Sequence, residues 1–179
     1  EYCFGPTRAG DGSLWLTLNK PFGDEPFGMA DWRGFAIRVT KDGGFEPVCA
    51  GLRSPAGVAT SPWGEVFYTD NQGEWCPACK LSLLEVGAFY GHPHGTESCK
   101  LPQSKVEFPG KIDGGVRESE FAAAHPSYRL PAVWFPYDRL GRSSSGFVWD
   151  EKGRFGPYRD SIFIGDQYSC EVLRATLEK

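Results

Sequence analysis

The chain has 179 residues, a net charge of −4 and a pI of about 5.4, and its 23 Gly and 14 Pro interrupt about one position in five. That punctuation excludes long helices, while 40% hydrophobic and 15% aromatic content excludes a disordered chain. No Lys/Arg cluster supports a nucleic-acid or membrane-surface partner, and no apolar run approaches the roughly 18 residues of a membrane span.

Taken in order, the predicted elements are strands separated by turns. Residues 12–18 read as a strand that starts at the Asp11-Gly12 turn, and residues 21–31 read as a Pro/Gly-rich loop. Residues 35–40 and 45–52 form a hairpin around Lys41-Asp42-Gly43-Gly44, where Gly supplies the positive φ of a tight turn. Residues 54–60, a turn at Ser61-Pro62-Trp63-Gly64 and residues 65–70 make a second hairpin, rich in β-branched and aromatic side chains. Residues 80–86 add a strand. Residues 91–129 lack periodicity and read as a long insertion, after which strands return at 144–150, 161–166 and 172–177.

The strands repeat. Gly57-Val58 aligns with Gly146-Phe147 at an offset of 89, and Val66–Asp70 aligns with residues 162–166 at an offset of 96, the second copy having the longer turn. Asp11 to Leu16 supplies a third, partial copy. A recurring module of this size is the mark of propeller blades, with a β-sandwich as the competing arrangement. The expected fold is all-β: a partial propeller of about three four-stranded antiparallel blades. Their expected bounds are 12–52, 57–137 (with the 91–129 insertion) and 144–179. Closed propellers typically have 4–8 blades, so the chain is expected to be a piece of a larger protein.

Six cysteines, Cys3, Cys49, Cys76, Cys79, Cys99 and Cys170, permit complete disulfide pairing in an oxidising compartment. A second possibility is a zinc-stabilised domain, since Cys76, Cys79, His92 and Cys99, with His94 nearby, supply enough tetrahedral ligands. Asp70-Asn71-Gln72-Gly73-Glu74 offers turn oxygens suited to a hard cation. Arg53 is a bidentate carboxylate binder if it stands at a channel mouth, or else the partner of a local carboxylate such as Asp70. His125 reads as a surface histidine, and Trp63, Trp134 and Trp149 as packing aromatics able to line a sugar site. No nucleophile elbow, P-loop or dinucleotide fingerprint is present.

The stretches Gly51-Leu52-Arg53-Ser54-Pro55-Ala56-Gly57, Asp70-Asn71-Gln72-Gly73 and Phe89-Tyr90-Gly91-His92-Pro93, together with Gly141-Arg142-Ser143 and Ile164-Gly165-Asp166-Gln167, carry a resemblance. Over residues 33–179 the chain resembles the six-bladed propellers of the pyrroloquinoline quinone (PQQ)-dependent soluble glucose/sorbosone dehydrogenases. It is most similar to their bacterial membrane-associated and haem-fused branch. The resemblance implies oxidation of a sugar or alcohol with hydride transfer to PQQ, in a periplasmic or extracellular protein. It places Arg53 on the quinone and Gln72 and Gly73 on calcium, with the catalytic His and a further Arg pair outside these residues. Ser54 stands where the family has Asn, Glu74 where it has Pro, and Tyr168 near the place of its quinone-binding Lys. The implied partners are a small sugar or alcohol and the remaining blades. The alternative is a non-catalytic propeller that binds a protein or glycan.

Overall fold

A computed structural model describes residues 2–20 and 30–178. Most of the expected 21–31 loop, residues 21–29, lies outside the described residues. Three antiparallel meanders dominate. The first sheet is β1 (Cys3–Arg8), β2 (Leu14–Leu18), β3 (Phe35–Val39) and β4 (Phe45–Ala50) in that order. The second is β5 (Pro55–Thr60), β6 (Val66–Asp70), β7 (Cys79–Leu83) and, after the insertion, β8 (Val133–Phe135). The third holds β9 (Ser144–Asp150), β10 (Ser161–Asp166) and β11 (Glu171–Ala175), so it has three described strands where four were expected.

The first strands of the three sheets stand side by side. Thr60 Oγ1 donates to the Arg8 carbonyl at 2.7 Å, joining β5 to β1, and Thr69 Oγ1 donates to the Ser145 carbonyl at 2.8 Å, joining the second sheet to β9. Each of these strands carries glycine at its third residue: Gly5, Gly57 and Gly146. Each also has a register shift against its neighbour near that glycine. A Cβ on Gly5 would lie 2.8 Å from the Trp15 carbonyl oxygen and 3.1 Å from Val58. On Gly57 it would lie 2.5 Å from the Ser145 carbonyl oxygen. Glycine here permits the close approach of one sheet to the next. At Gly146 a Cβ would meet nothing within 4 Å. This is the side where the described chain has no further sheet.

Period-2 alternation explains which faces are covered. In the third sheet Phe147, Ile162, Ile164 and Leu173 are buried against Phe67, Leu81 and Phe135 of the second. Its other face exposes Val148 (59%), Phe155 (62%) and Val172 (62%). Between the first and second sheets Trp15, Val48, Leu52, Tyr68 and Tyr90 form a separate core.

The insertion is ordered. It contains a short 3₁₀ turn at Thr96–Lys100 and one helix, α1 (Glu118–Ala124), with Glu118 and Glu120 in its first turn, where the helix dipole favours acidic groups. Cys99, Val106, Phe121 and Tyr128 pack with Phe35, Ile37, Ala50 and Phe89. Phe89 forms parallel bridges with Ala50 and Tyr128, so the insertion is stitched along the outer edge of the first sheet.

Candidate functional site

Two aspartates organise one end of the strands. Asp70 closes β6, and its carboxylate accepts the backbone N–H groups of Arg53 at 3.0 Å and Ser54 at 2.7 Å. Asp166 closes β10 and accepts the N–H groups of Arg142 at 2.8 Å and Ser143 at 2.7 Å. Arg53-Ser54 and Arg142-Ser143 are therefore equivalent, related by the same offset of 89 that aligns the strands, and the aspartates by the offset of 96. Each aspartate fixes the chain just before an inner strand and sets an arginine at the end of the blade. The environments differ. Complete burial pushes the Asp70 carboxyl up, against the pull of Lys80 and the two amides. At Asp166 burial also raises the pKa, but the amides of Ser169, Ser143, Arg142 and Tyr168 outweigh it and the carboxyl falls below its ordinary value.

Arg53 does not pair with Asp70 through its side chain. Its stem crosses Gly73, where a Cβ would lie only 2.9–3.0 Å from Cγ, Cδ and Nε of the arginine. Its Nε lies 3.7 Å from Glu74 Oε2, beyond hydrogen-bond reach, and is buried without a hydrogen-bond partner among the described residues. Glu74 also forms a hydrogen-bonded ion pair with Lys20, which lies just past β2, and stands 3.8 Å from His92 Nδ1. Burial works to raise the Glu74 carboxyl, but the Lys20 hydrogen bond, with smaller help from a backbone amide and the Lys20 charge, brings it down to about 2. His92 is 4% exposed, and burial lowers it to about 3, so the imidazole meeting Glu74 is neutral at pH 7.

Arg142 lies over two rings, 4.6 Å from the centroid of Tyr168 and 4.9 Å from that of Tyr137, and pairs with Asp138. Tyr168, near the expected place of a lysine, thus holds an arginine by cation–π contact. Sequence reasoning gave Arg53 a role, quoted Arg142 only within the Gly141-Arg142-Ser143 stretch and missed Lys20. The signal for Arg142 was legible, being the Arg-Ser pair repeated at the strand offset. Lys20 carried none.

The other predicted site residues are placed as follows. Gln72 Oε1 accepts the Cys79 thiol at 3.1 Å, and the Gly73 N–H donates to the Cys76 carbonyl at 2.8 Å. Cys76 donates to the Ala78 carbonyl, Cys79 packs with Leu81 and Phe135, and Cys99 packs in the separate core with Phe121. The zinc set of Cys76, Cys79, His92 and Cys99 is not brought together, and among the described residues no three His, Cys, Asp or Glu side chains converge to hold a metal. Burial raises the Cys76 thiol to about 11 and the Cys99 thiol to about 12, so both are protonated at pH 7. The disulfide expectation also needs correction: all six cysteines are free thiols, four buried and Cys3 and Cys170 exposed. Cys76 and Cys79 each spend their S–H on a different local acceptor, so the CxxC spacing joins nothing.

His125 closes α1, its ring stacked on Phe121 with centroids 3.9 Å apart. Trp63 and Trp149 meet edge to face at 4.9 Å, and with Asp150, Glu151 and Asp160 they line a cleft of about 350 Å³ at the opposite end of the strands from Arg53. Its acidic lining repels anions. Trp134 lies half-exposed on β8.

Three successive antiparallel meanders with their first strands adjacent define a partial β-propeller, nearly all-β. No protein-family model matches the sequence, and no curated protein does. Solved structures do match. A glucose dehydrogenase superposes with a TM-score of 0.63 at 22% identity, over 98% of this chain and 51% of its own. The soluble aldose sugar dehydrogenase of Escherichia coli, in its apo form, gives 0.61 at 17% identity, over 99% of this chain and 52% of its own. The PQQ-bound aldose sugar dehydrogenase of Streptomyces coelicolor gives 0.59 at 18%, over 95% and 43%. The chain has the fold of these sugar dehydrogenases and spans about half their length. Among the described residues, no helix is long and apolar enough to cross a membrane.

Proposed function

We propose that the chain is the cofactor-side part of a PQQ-dependent, sugar- or alcohol-oxidising propeller, with Arg53 binding a carboxylate of the quinone. The supporting observation is a buried Arg53 Nε without a hydrogen-bond partner among the described residues, at the blade end where Lys20 and Arg142 also stand, in a fold shared with a PQQ-bound aldose sugar dehydrogenase. A tricarboxylate quinone needs several cations, and guanidinium groups match carboxylates bidentately. The residues fit such a group: Arg53 and Lys20 would hold its carboxylates, and Arg142, its face already covered by Tyr168, would add positive charge alongside. When bound, PQQ supplies a two-electron acceptor for the hydride of a hydroxyl-bearing or aldehyde-hydrate carbon.

This chain's residues orient and anchor. Asp70 fixes the Arg53 backbone, Gly73 leaves room for the arginine stem, and neutral His92 adds a polar wall without charge. No general base is assigned among them. Calcium fits less well, because the Gln72 side-chain oxygen is occupied by the Cys79 thiol, so no step is drawn through it. The six free thiols withdraw the disulfide argument for an oxidising compartment, and a periplasmic or extracellular location is proposed on the family resemblance. Further blades would cover the exposed Val148, Phe155 and Val172 face.

Titrating the intact protein that contains this chain with PQQ, followed by dye reduction with aldoses and alcohols, tests the proposal. Saturable binding and substrate-dependent reduction are expected. Absence of saturable quinone binding would remove the reading.

A further inference from the structure

The most unusual contact at the blade end is made by Glu74. Its side chain is 51% exposed, yet its carboxylate reaches inward to a Lys20 side chain that is only 8% exposed, to Arg53 and to buried His92. Three segments converge on it: the chain just past β2, the lead-in to β5 and the start of the insertion. The arginine is not satisfied by the contact, since Nε remains without a hydrogen bond among the described residues, and His92 Nε2 is likewise buried without one. Glu74 therefore sits where a carboxylate is attracted, yet makes no hydrogen bond to Arg53 Nε.

Resting on the quinone reading above, the geometry points to Glu74 as a built-in competitor: a carboxylate of the chain itself that occupies the Lys20–Arg53 anion site and must swing out when a ligand carboxylate enters. The exposed stem allows that movement, because the residue has solvent on one side and cations on the other. The consequence is a lower apparent affinity for the ligand, reduced by the fraction of molecules in which Glu74 has left. Discrimination follows too. A ligand with one weak acceptor does not displace a hydrogen-bonded ion pair, whereas one presenting several carboxylates does.

The test compares PQQ binding, by calorimetry and quinone absorbance, to the intact wild-type protein, to Glu74→Gln and to the double variant Glu74→Gln/Arg53→Met. Removing an ion pair of this kind predicts binding about five- to tenfold tighter in Glu74→Gln, with the gain abolished in the double variant. Equal or weaker binding to a Glu74→Gln protein with wild-type circular dichroism overturns the competitor role while leaving the quinone reading intact. Failure of both proteins to bind overturns the quinone reading and the competitor with it. Should Glu74→Gln not fold, carbodiimide labelling of wild-type Glu74, read by mass spectrometry, takes its place. Added PQQ must increase labelling if the carboxylate is expelled, and unchanged or reduced labelling overturns the proposal.

Discussion

At the residue scale, Asp70 and Asp166 perform one task in two environments. Each ties down two consecutive amides ahead of an inner strand, and each positions an arginine. Replacing Asp166 with alanine strands the Arg142 and Ser143 amides, and the Ser169 amide that it also accepts at 2.9 Å. We expect a loss of about 2–4 kcal/mol in urea unfolding. Because the folded Asp166 carboxyl lies below its ordinary value of 3.8, its contribution is complete above that pH and is lost as pH falls through the lowered value. His92 acts in the same direction at higher pH. Its folded value of about 3 lies below the ordinary 6.5, so stability is full above 6.5 and declines as pH falls toward 3. Urea midpoints measured from pH 7 to 3.5 should show that decline, and a folded His92→Phe variant should show a flatter profile.

At the element scale, what the sequence revealed follows from how strongly each segment is patterned. β5, β6, β9 and β10 stood out because β-branched and aromatic residues alternate between turn signals and recur at fixed offsets. β1 was not among the expected strands: it carries Gly5-Pro6, which sits at the register shift of an edge strand, where proline is tolerated. α1 was missed because seven residues are too few for a helical period, although Glu118 to Ala124 are good helix formers. The site was half-legible. Arg53 carries a local motif, whereas Lys20 and Glu74 are 54 residues apart and meet only because adjacent blades bring their ends together. The zinc ligands lie apart and the disulfide expectation fails because cysteine spacing says nothing about which core each thiol enters. The insertion lacks periodicity, but its apolar side chains build a core with the first sheet. Phe121→Ala, which empties the contacts with Trp75, Phe89 and Tyr128, should cost about 3–5 kcal/mol in chemical denaturation. A loss below 1 kcal/mol would return the insertion to the role of a loosely attached loop.

At the scale of the whole molecule, the repeated glycines report how blades stack. Gly5 and Gly57 lie against a neighbouring sheet, Gly146 faces open space, and the same side of the third sheet exposes apolar residues. The proposal that further blades cover this apolar face makes a specific prediction. In the intact protein Gly57→Val and Gly146→Val should therefore both destabilise, by about 1–3 kcal/mol each. In the 179-residue chain expressed alone only Gly57→Val should do so. Equal tolerance of Gly146→Val in both settings would mean that no blade packs there. The account as a whole rests on Arg53 standing at the anion-binding end of such a ring. Its most direct test is the dissociation constant of PQQ for the intact protein with and without Arg53→Met. Loss of a bidentate guanidinium–carboxylate contact predicts stoichiometric, saturable binding to the wild type that weakens about 10- to 100-fold in the variant, whereas an unchanged constant in a folded Arg53→Met protein would contradict it.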